Sequence, residues 1–230
     1  MKLVLFDIDG TLLWSDGAGR RAIHHALRET FGTVGPADYW FDGKTDPQIV
    51  RELMEREGFE AGEIARRLPH TLALYLERLA LELHDPAHGA DALPGVHELL
   101  DVLEAREDVV LGLLTGNIAG GARAKLGRVG IDFDRFVVGA FGSDHEVRPE
   151  LPAIAQQRCR EVLDLHVPGD RVIVIGDTPA DLTCGQGIGA RAVGVATGRY
   201  SVEELRAYRP HAVFRDLSKT NDVVEVILAA

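Results

Sequence analysis

Five short apolar runs divide the sequence, and the first of them ends at Asp7. Because nearly every position in a run is apolar, each run predicts a strand that is buried on both faces. Helical spacing of apolar residues separates the last four runs, and the connections are too long for hairpins. This order predicts an α/β fold with a parallel, doubly wound sheet. The runs lie at residues 2–6, 109–114, 136–141, 172–175 and 192–196, and the helices between the last four at about 117–128, 150–164 and 179–188.

The interval between the first two strands, residues 13–108, contains no convincing strand and predicts an insert. A helix at 95–105 leads from this insert back into the second strand. We expect residues 15–91 to form an inserted α-helical cap, with residues 1–14 and 92–230 forming the core. Within the insert, apolar periodicity interrupted by glycine and proline predicts three helices, at 17–31, 46–57 and 60–84.

The length of 230 residues suits a core with one insert, and the composition disfavours several classes of protein. A net charge of −11 opposes binding to nucleic acid or anionic lipid. No apolar run approaches the ~18 residues of a membrane span, and the run before Asp7 is too short for a signal peptide. The two cysteines, Cys159 and Cys184, belong to no disulfide or metal motif. We therefore expect a cytoplasmic monomer or homodimer without nucleic-acid or membrane partners.

Two carboxylates follow the first strand, where Asp7 and Asp9 bracket a single residue. Gly10 comes next and allows a sharp backbone turn. Open α/β sheets bind ligands at the carboxyl ends of their strands, so these two acids are placed where chemistry is expected. They predict a reaction centre.

Polar residues also follow the second and fourth predicted strands. Thr115, Gly116 and Asn117 offer a hydroxyl, an accessible backbone N–H and an amide at a helix start, which favours binding of anionic oxygens. Asp177 and Asp181 follow the fourth strand and add carboxylate oxygens, the ligands that Mg²⁺ prefers. The sequence thus predicts a phosphate site and a magnesium site at one edge of the sheet.

Four segments follow one another along the chain, beginning with DIDGT and LLTGN and continuing with an Arg-Pro step and GDTPAD. In this order they resemble the four motifs of the haloacid dehalogenase-like (HAD) hydrolase superfamily. The segment FDGKTD, at 41–46 in the insert, looks like the substrate-facing region of the helical caps in its phosphoglycolate phosphatase-like branch. The resemblance spans essentially the whole chain and implies a Rossmann-like core with an inserted cap. The four motif segments are DIDGT at 7–11, LLTGN at 113–117, an Arg-Pro step at 148–149 and GDTPAD at 176–181.

The resemblance implies a catalytic role for each acidic residue. Asp7 would attack phosphorus and form an aspartyl phosphate, while Asp9 would protonate the leaving alkoxide and then activate water. Mg²⁺ would be bound by the Asp7 carboxylate, the Asp9 backbone carbonyl and the Asp177 carboxylate. Asp181 is expected to support these ligands without binding the ion itself.

Thr115, Gly116 and Asn117 would orient the transferring phosphoryl group, and a cation would neutralise its charge. Arg148 is our candidate for this cation, although the third motif of the family more often has lysine before proline. Lys125, on the helix after LLTGN, is the rival candidate, but an isolated lysine on a helix usually lies on a solvated face.

In the cap, Lys44, Thr45 and Asp46 are candidate specificity residues. Lys44 would meet the far anionic end of a substrate. The alternative is an ordinary helix start, with Thr45 or Asp46 as the capping residue. The sequence does not decide between these readings.

These residues imply a magnesium-dependent phosphatase acting on a small phosphorylated metabolite, such as a phosphoglycolate or a sugar phosphate. A phosphomutase of the β-phosphoglucomutase type has the same four motifs and is the alternative enzyme. A phosphate-ligand sensor without turnover is the alternative from another class. The dehalogenase branch is disfavoured, because its members lack an acid at the position of Asp9.

Overall fold

A six-stranded sheet forms the centre of the protein in a computed structural model that describes residues 1–229. All neighbouring strands in it are parallel, and the spatial order is β5-β4-β1-β6-β7-β8. A second sheet is the short antiparallel pair β2-β3. The strands are β1 (Lys2–Phe6), β2 (Leu13–Trp14), β3 (Asp91–Ala92), β4 (Val109–Thr115), β5 (Val138–Phe141), β6 (Val172–Gly176), β7 (Arg191–Val195) and β8 (Ala212–Phe214).

Helices cover both faces of the six-stranded sheet, as its apolar strands require. Val4 and Phe6 of β1 pack into one core cluster, whereas Leu3 and Leu5 pack into another on the opposite face. The prediction of strands buried on both faces is therefore confirmed. The core helices are α4 (Val96–Glu104), α5 (Ala119–Arg128), α6 (Leu151–Leu163), α7 (Pro179–Cys184), α8 (Val202–Arg206) and α9 (Thr220–Ala229).

The position of β1 between β4 and β6 determines where the polar residues meet. Phe6 pairs with Leu113 of β4 on one side and with Ile175 of β6 on the other. The residues just beyond these three strands therefore come together at the carboxyl edge. This is the point at which strand order reverses and at which such sheets bind ligands.

Three helices precede β3, and they share an apolar cluster distinct from the two on the sheet faces. Ile23 and Leu27 pack with Leu53, Tyr75 and other side chains in it. This separate cluster fits a cap, while the exact domain boundaries that we expect remain a prediction. No described helix is long and apolar enough to cross a membrane. The three helices are α1 (Ala18–Phe31), α2 (Asp46–Arg56) and α3 (Ala61–Leu83).

The expectation that residues 13–108 contain no strand is wrong, because β2 and β3 lie in this interval. Leu13 pairs with Ala92 and Trp14 with Asp91, so the chain leaving the sheet runs beside the chain returning to it. Two-residue strands are too short to show a period-2 pattern. The predicted helix at 179–188 also differs, since α7 ends at Cys184 and a 3₁₀ turn follows.

Replacing Gly95 with Ala tests the packing at the start of α4. Gly95 has φ 81°, and a Cβ there would overlap the backbone of Leu217 and Ser218. We expect Gly95→Ala to lower the free energy of unfolding by more than ~1 kcal/mol in urea denaturation. Gly127→Ala is the matched control in α5, because open space surrounds it, and it should not destabilise the protein. Equal unfolding midpoints for the two variants would contradict this account.

Candidate active site

A cavity of about 550 Å³ opens at the carboxyl edge of the sheet. The core contributes Asp7 after β1, Thr115 at the end of β4 and Asp177 after β6. Residues of α1, of α2 and of the loop before α2 form the opposite wall. The residues predicted from the sequence motifs therefore share one cavity with the helical insert.

Three buried carboxylates cluster at the floor of this cavity, where Asp7 and Asp177 line it and Asp181 lies beneath them. Oxygens of Asp7, Asp177 and Asp181 lie within 4.8 Å of one another. Burial raises the pKa of Asp7 to about 6, with Arg148 opposing this shift and Asp181 adding to it. Burial also raises the pKa of Asp177 well above its ordinary value, and the Asp181 and Asp7 charges act in the same direction. The raised pKa values show that negative charge on these oxygens is costly here. A divalent cation would offset that charge, and carboxylate oxygens are ligands that such ions prefer.

The Asp181 carboxylate is already engaged by its neighbours. Its Oδ2 accepts hydrogen bonds from the backbone N of Thr178 at 3.0 Å and from the Thr178 hydroxyl at 2.7 Å. The backbone N of Asp181 donates in return to the Thr178 hydroxyl oxygen at 3.4 Å, which completes a capping box at the start of α7. Oδ1 of Asp181 is paired with Arg148. Asp177 accepts one hydrogen bond, from the Thr11 hydroxyl at 3.2 Å. Asp181 therefore has less capacity for a metal ion than Asp177.

Arg148 reaches the floor of the cavity from the 3₁₀ turn Arg148–Glu150, and it is buried. Its Nη2 lies 3.2 Å from Oδ1 of Asp7 and also contacts Asp181. The Nε atom has no hydrogen-bond partner among the described residues. A buried donor without a partner is costly, so Arg148 is held at the floor of the cavity by its two carboxylate contacts at an energetic cost.

Lys125 also lies in the site, and the expectation of a solvated face is wrong. Its ammonium is buried and lies 2.6 and 2.8 Å from the Asp9 carboxylate oxygens and 2.7 Å from Oδ1 of Asn117. Asn117 in turn donates to Asp9 at 2.8 Å and to Thr115 at 2.9 Å. Lys125 follows the buried Ala122 by three residues, so helical periodicity could have placed it on the inner face of α5.

The start of α2 is joined to the loop after β4. The backbone N of Asp46 donates to the Gly116 carbonyl at 2.8 Å, and the Asp46 carboxylate accepts from the backbone N of Ile118 at 2.9 Å. Burial raises the pKa of Asp46 to about 6. A Cβ at Gly116 would overlap the carbonyl of Lys44. Gly116 is thus required for the close approach of the insert to the core.

The two other candidates from the cap have structural partners. Thr45 caps α2 by accepting from the backbone N of Gln48 at 3.2 Å, so the capping reading is confirmed for this residue. The Lys44 ammonium lies 2.6 Å from Oε2 of Glu52 and 2.9 Å from the Tyr39 hydroxyl. Its charge is therefore neutralised within the cap itself.

Several residues that line the cavity carry no sequence motif. Arg20 belongs to α1, and Trp14 and Trp40 are more than half exposed at the cavity wall. Arg199, after β7, stacks on the Trp40 ring at 3.5 Å and lies 3.5 Å from the Asp42 carboxylate. Isolated aromatic and basic residues in loops give no periodic signal, which is why the sequence did not point to them.

Comparison with known proteins places this geometry in a family. Residues 4–186 match the family model of the haloacid dehalogenase-like hydrolases. The protein belongs to this family. A phosphoglycolate phosphatase of Rhodospirillum rubrum is 32% identical over 230 residues, covering 96% of this chain and 90% of the relative. This similarity supports the phosphoglycolate phosphatase-like branch that we expected.

Two further matches show the breadth of this hydrolase family. A 5′-nucleotidase of Pseudomonas aeruginosa is 25% identical over 223 residues, covering 96% of this chain and 95% of the relative. The crystal structure of a hydrolase from Pseudomonas syringae superimposes with a TM-score of 0.74 at 21% identity, over 98% of each chain. The structural match confirms the expected fold, a parallel α/β core with an inserted helical cap.

Replacing Asp177 with Asn tests the repulsion among the buried carboxylates. The raised pKa values mean that the stability contributed by the protonated forms of Asp7 and Asp177 is fully present below about pH 4. This contribution is lost as the pH rises through their folded-state pKa values, about 6 for Asp7. In chelator at pH 7.5 we expect Asp177→Asn to raise the thermal unfolding midpoint by a few degrees, which corresponds to an increase in the free energy of unfolding on the order of 1–2 kcal/mol. The gain should shrink at lower pH, because the wild-type carboxyl groups are then protonated.

Asp38→Asn is the matched control for this measurement, because Asp38 is exposed and lies outside the carboxylate cluster. It should leave the midpoint unchanged at every pH. A lower midpoint for Asp177→Asn than for wild type in chelator at pH 7.5 would contradict the proposed repulsion.

Proposed function

We propose that this hydrolase is a magnesium-dependent phosphatase that acts on a small phosphomonoester of the phosphoglycolate or sugar-phosphate type. The observation that carries the proposal is the placement of Asp7. Its buried carboxylate faces the cavity between two further acids and the Arg148 guanidinium. The sequence likeness to the phosphoglycolate phosphatase of Rhodospirillum rubrum supports the same reaction class.

The donor set fits Mg²⁺, which prefers oxygen ligands and usually retains several waters. Carboxylate oxygens of Asp7 and Asp177 would hold the ion together with the backbone carbonyl of Asp9, while Asp181 remains tied to Thr178 and Arg148. When bound, the ion would offset the negative charge shared by the nucleophile and the phosphate.

Asp7 would act as the nucleophile on phosphorus and carry the phosphoryl group as an aspartyl phosphate. Its Oδ1 is held by Arg148 at 3.2 Å, which fixes the orientation of the carboxylate. Hydrolysis of this intermediate by water would then regenerate the free carboxylate. Two displacements in this way replace one difficult attack of water on a phosphate ester.

Asp9 would move the protons in both displacements. Its side chain is 41% exposed and lines the cavity, in contrast to the buried Asp7. It would donate a proton to the leaving alkoxide and then accept one from the attacking water. Lys125 and Asn117 hold both of its oxygens, so they would fix its position relative to the phosphorus.

The phosphate oxygens would be bound by groups after β4 and by Arg148. Thr115 and Asn117 line the cavity with Gly116 between them. Arg148 also lines the cavity beside Asp7, so its guanidinium would supply a further donor. Donors fixed before the substrate arrives stabilise the transition state because they need no reorganisation.

The wall formed by the insert limits the size of the substrate. The whole cavity measures about 550 Å³, which admits a metabolite but not a folded phosphoprotein. Efficient dephosphorylation of a phosphoprotein would contradict this part of the proposal.

Phosphate release from a panel of small esters tests the proposed reaction. Phosphoglycolate and sugar phosphates should be hydrolysed with Mg²⁺, and hydrolysis should stop in chelator. We expect Asp7→Asn to lower kcat by at least ~10⁴-fold, because the amide cannot act as the nucleophile. Asp38→Asn should keep wild-type activity. If no ester is hydrolysed, a sugar bisphosphate assay separates the phosphomutase from a sensor without turnover.

Substitution of Lys125 and Arg148 tests their separate proposed roles, in which Lys125 positions Asp9 and Arg148 binds the phosphate. Lys125→Met should slow hydrolysis of alkyl phosphates more than that of p-nitrophenyl phosphate, because only the poor leaving group depends on Asp9 as the acid. Arg148→Ala should slow both esters by about 10²–10³-fold, since it removes a donor to the phosphate. Lys219→Met, at an exposed lysine, is the control. Wild-type activity in Arg148→Ala would overturn its assignment.

A further inference from the structure

The cations that line the cavity differ in whether a carboxylate neutralises them. Five of them face it, and four are paired within the described residues. The unpaired one is Arg20, which has no carboxylate within ion-pair distance in the described chain. The four pairs are Lys44 with Glu52, Lys125 with Asp9, Arg148 with Asp7 and Asp181, and Arg199 with Asp42.

Arg20 is held in place without being neutralised. Its guanidinium carbon lies 4.0 Å from the centre of the Phe41 ring, and two of its nitrogens make long hydrogen bonds, of 3.3 and 3.4 Å, to the Tyr39 carbonyl. Both contacts fix the plane of the guanidinium. Only Nη1 and Nη2 donate to this carbonyl, and a guanidinium has five N–H groups, so donors remain for a ligand.

The position of Arg20 in α1 relates it to the leaving group. The preceding residue, Gly19, lies against Lys125, since a Cβ at Gly19 would be 3.2 Å from the lysine nitrogen. Lys125 holds Asp9, the proposed proton donor to the leaving oxygen. The alcohol portion of a substrate bound at Asp9 would therefore extend along the wall where Arg20 lies.

We infer that Arg20 determines specificity by binding an anionic group, a carboxylate or a second phosphate, carried by the alcohol portion of the phosphomonoester. This inference rests on the proposed phosphatase function and narrows its substrate class. A guanidinium can bind either group through two parallel hydrogen bonds. It also gives this task to Arg20 in place of Lys44, which the sequence offered as one of two open readings and whose ammonium is paired with Glu52.

The unpaired positive charge of Arg20 is the physical reason to expect an anionic ligand. Half-burial of a guanidinium carries a desolvation cost that a protein carboxylate usually offsets. The protein has 36 acidic residues, yet none of those described contacts Arg20 in this way. An anionic substrate group would supply the missing partner, and a neutral alcohol would leave it unsatisfied.

Matched esters test this inference in the full-length magnesium-loaded enzyme. Phosphoglycolate carries a carboxylate, 2-hydroxyethyl phosphate has the same length and is neutral there, and ethylene glycol bisphosphate carries a second phosphate. We expect Arg20→Gln to lower kcat/KM for one or both anionic esters by about 10–100-fold, mainly through KM, and for the neutral ester by less than about 3-fold. The anionic ester that loses more identifies the group.

Three further variants serve as controls. Arg20→Lys should restore part of the preference, because it keeps the charge without the planar fork. Arg66→Gln removes an exposed arginine of α3 and should change nothing. Equal losses on all three esters in Arg20→Gln would overturn the inference, as would a larger selective loss in Lys44→Gln. Thermal unfolding midpoints will identify any variant that does not fold.

A binding experiment separates failure of this inference from failure of the proposed reaction. Calorimetric titration of phosphoglycolate, ethylene glycol bisphosphate and 2-hydroxyethyl phosphate into the Asp7→Asn protein, with and without Arg20→Gln, needs no turnover. If no ester is hydrolysed but Arg20→Gln selectively weakens binding of phosphoglycolate, the phosphatase proposal fails and the Arg20 assignment stands. If esters are hydrolysed and binding shows no selective loss on either anionic ester, only the Arg20 assignment fails.

Discussion

Mutual repulsion of buried carboxylates is the constraint around which this site is built. Parallel strands converge at one edge and bring Asp7, Asp177 and Asp181 within 4.8 Å of one another, away from bulk water. Arg148 offsets part of this charge by contacting two of the three. Burial, together with the charges of the neighbouring carboxylates, raises the pKa values of Asp7 and Asp177, and a divalent cation would offset this cost. Stability is thus given up locally at the proposed metal and phosphate site.

Asp9 and the insert share the loop after β4. Within this loop, Asn117 contacts Asp9, while the Gly116 carbonyl and the Ile118 N–H hold the start of α2 through Asp46. The groups that would bind phosphate are therefore continuous with those that attach the insert. A change in the position of α2 would be transmitted to Asn117 through two hydrogen bonds and one peptide unit. The proposed roles in substrate selection and proton transfer therefore depend on one loop.

Much of the fold could be predicted from the sequence, because apolar runs and helical periodicity report burial directly. The motif acids Asp7, Asp177 and Asp181 also meet as expected, since strand order fixes where their segments end. Lys125 was misjudged because one lysine carries no pattern, although its spacing from apolar neighbours in α5 contained the signal. The roles of Lys44 and Arg20 depend on which carboxylates lie near them in space, and local sequence cannot supply that information.

The two chain crossings between the sheet and the three inserted helices lie side by side, joined by the pairs Leu13–Ala92 and Trp14–Asp91. Two adjacent, paired crossings would permit rotation about the line that joins them more readily than rotation about other axes. Any rotation of the insert relative to the sheet would then take place about the line of these two crossings. Such a rotation would separate the insert from the sheet most at the part of the cavity rim farthest from the two crossings. Solvent would then enter the cavity from that side.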